Sequence, residues 1–173
     1  MHELAHIITS LILRVDVKEV TLLPVGVNAK YESNIGPSKE LFISMVGPLA
    51  SFIFSAILKD KTFSLMNICI GIFNLIPIYP MDGGRILRSF LTLIFRRGKS
   101  ELELQITKMQ AIKISNRVTK FFMILILLIS IALVAYAKSF YFMVLAAYIF
   151  YISREELKKE RFFEVFNYLQ KEE

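Results

Sequence analysis

Apolar positions in this chain fall in long uninterrupted runs, not in the alternations of a half-buried strand or a water-soluble helix, and the runs predict membrane helices. Four of them, residues 41–58, 63–78, 121–137 and 140–152, approach the roughly 20 residues a helix needs to cross about 30 Å of hydrocarbon, the last by borrowing its flanks. A fifth opens the chain: residues 2–13 span only about 18 Å as a helix, so this segment is expected to be truncated and to be continued by residues upstream. It is no signal peptide, because it has no basic n-region and carries Glu3 instead. The fold class expected is an all-α polytopic membrane protein with about five membrane helices, the first one truncated.

The polar stretches between the runs have patterns of their own. Residues 17–31 mix β-branched side chains with Pro24, Gly26 and Asn28, which suits a short β-hairpin. Residues 85–97 set Ile86, Leu87, Phe90, Leu91, Leu93, Ile94 and Phe95 among Arg85, Arg88, Arg96 and Arg97, the composition of a helix lying along a membrane interface. After residue 153, Phe162, Phe163, Val165, Phe166 and Leu169 alternate with Glu and Lys in an amphipathic tail. Without repeats or long linkers, the chain divides into a membrane-embedded core, 1–153, and a tail, 154–173.

Composition and charge turn this pattern into an orientation. Apolar residues make up 55% of 173 positions, 15 of them Phe, more than one water-soluble core of this size can absorb. The connections carry, in order, four, two, nine, one and five Lys and Arg, so alternate ones hold 18 against three. By the positive-inside rule the 18 face the cytoplasm, and the C-terminus with them, giving a multi-pass integral membrane protein. The net charge of +6 therefore reads as topology and contact with anionic lipid. Nucleic acid is excluded as a partner, because the basic residues are not interleaved with exposed aromatics on a soluble domain. The single cysteine, Cys69, lies in an apolar run and rules out a disulfide framework.

The chemistry begins at His2-Glu3-Leu4-Ala5-His6. Two imidazoles four residues apart share one helix face and can grip one zinc ion, with Glu3 between them placed to take a proton from metal-activated water. The chain has only these two histidines and three aspartates. Asp16 and Asp60 sit in charged connections, whereas Asp82 follows apolar sequence and needs a partner if buried. It stands at a break in the third run, Asn74-Leu75-Ile76-Pro77-Ile78-Tyr79-Pro80-Met81-Asp82-Gly83-Gly84, whose prolines must end or kink a helix. Such a backbone is tolerated at membrane depth only where it is packed in protein or lines a wet cavity. Two His and one carboxylate leave a tetrahedral position open for water, the ligand set of a hydrolytic rather than a structural site. Asn74, within an apolar helix, could donate a hydrogen bond to a substrate carbonyl.

The HELAH motif, Gly47-Pro48-Leu49-Ala50 in the next segment and the Asn74-x-x-Pro77-x-x-Pro80-x-Asp82-Gly83-Gly84 stretch together resemble the site-2 protease family of intramembrane zinc metalloproteases, and within it the stage IV sporulation protein FB branch. Val20 to Gly26 and Ser153 to Leu157 resemble that branch too. The resemblance implies one zinc per chain held by His2, His6 and Asp82, Glu3 as catalytic acid/base, and a substrate channel shaped by Asn74, Pro77 and Pro80. It also implies a membrane-associated protein substrate, a pro-sigma factor in a spore former, and a membrane-protein regulator or inhibitor. Two departures stand out: only Met1 precedes HExxH where family members carry upstream spanning segments, and no CBS domain follows.

The function expected is an intramembrane zinc metalloendopeptidase cutting near the cytoplasmic face, since eight residues from His6 to Arg14 place the metal about 12 Å below that surface. The hairpin is expected beside the active site, where an extended substrate could add to its edge. The alternative is a non-proteolytic membrane scaffold, or a truncated relative that has lost the metal; Glu3, which a scaffold does not need, speaks against it. The short first helix further implies that this chain inserts poorly and that upstream residues would raise its activity.

Overall fold

The computed structural model describes residues 1–15, 17–23, 26–31, 35–96, 101–137 and 141–169. Asp16, Pro24, Arg97 and Phe140 of the sequence expectations lie outside them. The described elements run α1 (His2–Ile12), β1 (Val17–Leu23), β2 (Gly26–Tyr31), α2 (Pro37–Ile57), α3 (Lys61–Asn74), α4 (Asp82–Phe95), α5 (Glu101–Ala137) and α6 (Tyr141–Leu169).

Local chemistry explains the boundaries. α1 stops where Arg14 adopts φ 51°, and the Lys39 ammonium donates to the Leu13 carbonyl at 3.0 Å, satisfying an acceptor the helix leaves open. α2 starts on Pro37, whose missing N–H costs nothing at the first helical position. Asp60 caps α3 by accepting from Thr62 N and Phe63 N at 2.8 and 3.1 Å. That helix ends at Asn74, ahead of Pro77 and a cis Tyr79–Pro80 bond, and α4 begins at Asp82. β1 and β2 pair antiparallel, Val20 opposite Ala29 and Leu23 opposite Gly26.

The helices pack in a chain of neighbours: α1 on α2, α2 on α3 and α4, α4 on α5, and α5 on α6. Their burial is inverted relative to a water-soluble protein. Ser10, Ser44, Ser51, Ser89, Thr107, Thr119 and Ser153 are nearly or wholly buried, whereas Leu4, Ile8, Phe42, Ile53, Phe63, Leu65, Ile124 and Leu128 are exposed. Small hydroxyl residues between helices and large apolar residues outside them are the arrangement that lipid, not water, stabilises, because association there depends on close packing.

The lengths refine the expectation of about five membrane helices. Two helices, Pro37–Ile57 and the Thr107–Tyr136 part of α5, are long and apolar enough to cross a membrane. The run at 63–78 does not stay helical: α3 has 14 residues, about 21 Å, because the prolines intervene before the apolar sequence ends. The run at 121–137 is no separate helix but the second half of α5, which starts at Glu101 and is 37 residues long. Lys108, Lys113, Arg117 and Lys120 are good helix formers, so these charges do not interrupt it. The 85–97 helix begins three residues early, at Asp82. α6 continues from the apolar run through the amphipathic sequence to Leu169.

The loop between α3 and α4 is anchored by packing and by hydrogen bonds to α5. Ile78 is fully buried and clusters with Met123 of α5 and Ile149 of α6, with Phe73, Ile76, Met81, Phe122 and Ile126 around it. Thr119 Oγ of α5 donates to the Pro77 carbonyl and accepts from Tyr79 N, both at 3.4 Å. Gly83 and Gly84 lie against the loop's own backbone: a Cβ on Gly83 would overlap the Leu75 and Ile76 carbonyls, and one on Gly84 would stand 2.7 Å from Tyr79 N.

Candidate metal centre

α1 presents His2 and His6 one turn apart on its buried face, and α4 presents Asp82 in its first turn. The three side chains converge. His2 Nε2 lies 3.0 Å and His6 Nε2 3.1 Å from the same oxygen, Asp82 Oδ2, and the two Nε2 atoms are 3.3 Å apart. Each residue is buried. Among the described residues they form a group of three side chains that could hold a metal ion. The positive end of the α4 dipole further favours a carboxylate at Asp82.

The donor set fits zinc. Zinc–ligand bonds of about 2.0–2.1 Å in tetrahedral geometry put ligand atoms about 3.3 Å apart, close to the three separations observed. The outer nitrogens say which ring atoms face inward. His6 Nδ1 donates to the Ile43 carbonyl at 2.8 Å; a carbonyl can only accept, so in the neutral ring Nε2 is a lone-pair donor aimed at the carboxylate. His2 Nδ1 lies 2.9 Å from Ser51 Oγ. A lone pair and a carboxylate oxygen at 3.1 Å repel unless a proton or a cation sits between them, and a third ligand atom at the same point favours the cation.

α2 is the frame that shapes this site. Ile43, Gly47 and Ser51 follow one another at four-residue intervals, hence on one face, and all three touch the histidines. Gly47 is required by the close approach: a methyl group there would overlap the His6 ring, with Cδ2 only 2.9 Å away. Glu3 is half-buried in the first turn of α1, next in sequence to His2. Asn74, Pro77 and Pro80 are not among the converging groups. The Asn74 amide donates to the Ile70 carbonyl of its own helix at 3.0 Å, Pro77 offers its carbonyl to Thr119, and Pro80 takes the cis bond.

Sequence reasoning found the three converging residues and missed their support. Ser51, the Ile43 carbonyl and Thr119 went unnoticed, and Gly47 stood only as part of a motif. A signal existed: Glu40, Ser44, Gly47, Ser51 and Ser55 recur every three or four residues through an otherwise apolar helix, a stripe of small and polar side chains that must face protein.

Comparison with known proteins gives a consistent result. Residues 61–126 match the profile of Peptidase family M50. The chain is 38% identical over 107 residues to Zinc metalloprotease MJ0392 of Methanocaldococcus jannaschii, a match covering 53% of this chain and 31% of that protein. It is 33% identical over 101 residues to Stage IV sporulation protein FB of Bacillus subtilis, covering 50% and 35%. The chain thus spans about a third of the length of these relatives. The fold is similar to that of the Site-2 Protease from Methanocaldococcus jannaschii, with TM-score 0.64, 26% identity, and coverage of 90% of this chain and 72% of the other.

Proposed function

We propose, from the match of residues 61–126 to Peptidase family M50 and the likeness of the fold to a solved site-2 protease, that this chain is a zinc metalloendopeptidase embedded in a membrane and cutting membrane-associated protein near the cytoplasmic face. The observation that carries this reading is the meeting of His2 Nε2, His6 Nε2 and Asp82 Oδ2 within 3.3 Å of one another, on two helices 80 residues apart in sequence.

His2, His6 and Asp82 would hold one zinc ion per chain. A zinc ion held there supplies Lewis acidity, lowering the pKa of water to about 7 and polarising the scissile carbonyl. The remaining work falls to the chain's own groups. Glu3 accepts a proton from the attacking water and delivers it to the leaving nitrogen, so that hydroxyl adds to carbon, the C–N bond breaks and the proton balance closes. The Ile43 carbonyl and Ser51 hold the two rings with Nε2 inward throughout. The anchored 75–81 loop keeps irregular backbone packed in protein, and we assign Asn74, Pro77 and Pro80 to the channel that presents substrate, with the Asn74 amide turning from Ile70 to a substrate carbonyl. An extended substrate adding to an edge of the β1–β2 pair would supply the rest of the binding.

In this reading the chain is multi-pass, with α1, α3 and α6 joining the two long apolar helices at membrane depth and the C-terminus cytoplasmic. The 18 to three partition of basic residues and the apolar exterior support it. The motif resemblance to the sporulation branch makes a pro-sigma factor the substrate of this reading and a membrane protein its regulator. The test is cleavage of a membrane-tethered reporter by the full chain, with Glu3→Gln as control: loss of cleavage at unchanged zinc content supports the protease, and zinc binding without any cleavage in the unaltered chain favours a scaffold.

A further inference from the structure

The three ligands come from two helices, α1 and α4, that share α2 as a neighbour. α1 lies on α2 and α4 lies on α2, so the position of Asp82 relative to the histidines depends on how α4 is seated on α2. One polar cluster sits in that seam. The Glu40 carboxylate pairs with the Arg88 guanidinium through Oε1 and accepts from Ser89 Oγ at 3.0 Å through Oε2. Ser89 is almost wholly buried, and the Arg88 and Glu40 side chains are only 20% and 23% exposed. The Arg88 guanidinium also stands 5.2 Å from the centre of the Tyr79 ring, in the loop that leads to Asp82.

Helix periodicity connects this cluster to the ligands. Seven residues bring a helix back to nearly the same face about 10.5 Å further along. Glu40 is seven residues before Gly47, whose backbone the His6 ring touches, and Ser89 is seven residues after Asp82. Glu40 with Ser89, and Gly47 with Asp82, therefore stand at matching levels of α2 and α4, two turns apart, and His6 of α1 touches both residues at the second level. A slip of α4 by one residue moves it about 1.5 Å and turns it about 100°, enough to take Asp82 Oδ2 out of ligand range. A carboxylate that binds two consecutive residues of α4 opposes both movements, since each oxygen has its own partner.

We propose that Glu40 is a positioning residue for the metal centre: with Arg88 and Ser89 it sets the register of α4 on α2 and thereby holds Asp82 opposite His2 and His6. This rests on the reading of those three residues as a zinc site. It predicts coupling to Asp82 specifically, which general loosening of the fold does not.

The test is zinc affinity of the full chain in detergent or native membrane, measured by competition with a chelator, for the unaltered protein, Glu40→Ala, Ser89→Ala, Asp82→Ala and the double variants. Glu40→Ala should weaken zinc by about 10–100-fold, the range for loss of an outer support of a metal ligand. In the Asp82→Ala background the same change should alter affinity by less than about twofold, because the group it acts through is gone. Ser89→Ala removes one hydroxyl only, so it carries the test if Glu40→Ala does not fold; a several-fold loss with Asp82 present and none without it is expected. Unchanged affinity in Glu40→Ala, or an equal loss with and without Asp82, overturns the proposal. Failure of the unaltered chain to take zinc would instead remove the metal reading beneath it.

Discussion

The backbone of Gly47 lies against the imidazole of His6 so closely that no side chain fits between them. The same ring is tethered on its other nitrogen by the Ile43 carbonyl, one turn earlier on α2. A hydrogen bond and a steric wall from one helix thus fix where Nε2 points, and the inward nitrogen cannot retreat toward α2.

Gly47→Ala tests that wall. Alanine is about 1 kcal/mol better than glycine in a helix interior, so its intrinsic effect on α2 is stabilising. Its methyl group must nevertheless displace the His6 ring or part α1 from α2. The expected outcome is at least a tenfold loss of zinc affinity, read by chelator competition, with helical content by circular dichroism unchanged.

Ser51→Ala removes the partner of His2 Nδ1. With Nε2 turned to a metal, Nδ1 carries the proton and needs an acceptor, so the variant leaves a buried donor unpaired. Zinc affinity should fall about tenfold, the lower end of what outer partners of metal-bound histidines contribute. Ser51→Thr keeps the hydroxyl and should retain more affinity than alanine.

Thr119→Val keeps the shape of the side chain while removing the hydroxyl that bridges Pro77 and Tyr79. Two backbone groups of the loop then lose a partner, at a cost of about 1–3 kcal/mol for each that stays unsatisfied. Both contacts are long, so the lower end is expected, seen as a lower thermal midpoint of the membrane-embedded chain and as faster proteolysis within 75–81.

Glu3→Gln keeps size and hydrogen bonding but removes the base. Reporter cleavage should fall by about 10²–10⁴-fold while zinc stays near one per chain. Wild-type turnover in this variant would place the proton transfer elsewhere.

Much of the site is local in sequence, and that part was legible. His2, Glu3 and His6 share one helical turn, and Asp82 is conspicuous as a carboxylate after apolar residues and prolines. The support is non-local: Glu40 meets Arg88 48 residues away, and Ser51 meets His2 49 residues away, so no spacing rule reveals either. The stripe on α2 was visible yet carried no partner's name. Helix extents failed for a different reason. Hydropathy marks where lipid ends, not where a helix ends, so α5 runs on through Lys120, Arg117 and Lys113, while α3 stops at Asn74 although apolar residues continue to Ile78. The antiparallel pairing of 17–23 with 26–31 followed from β-branched residues around Pro24 and Gly26.

X-ray absorption at the zinc edge, on the purified full chain and on Asp82→Ala, measures the central claim most directly. The unaltered chain should hold one zinc with nitrogen and oxygen ligands at about 2.0–2.2 Å and more distant scattering from two imidazole rings. Asp82→Ala should keep the imidazole signature while losing the carboxylate ligand and affinity. Zinc absent from the unaltered chain, or an identical spectrum and occupancy in Asp82→Ala, would contradict the assignment of His2, His6 and Asp82 as a single metal centre.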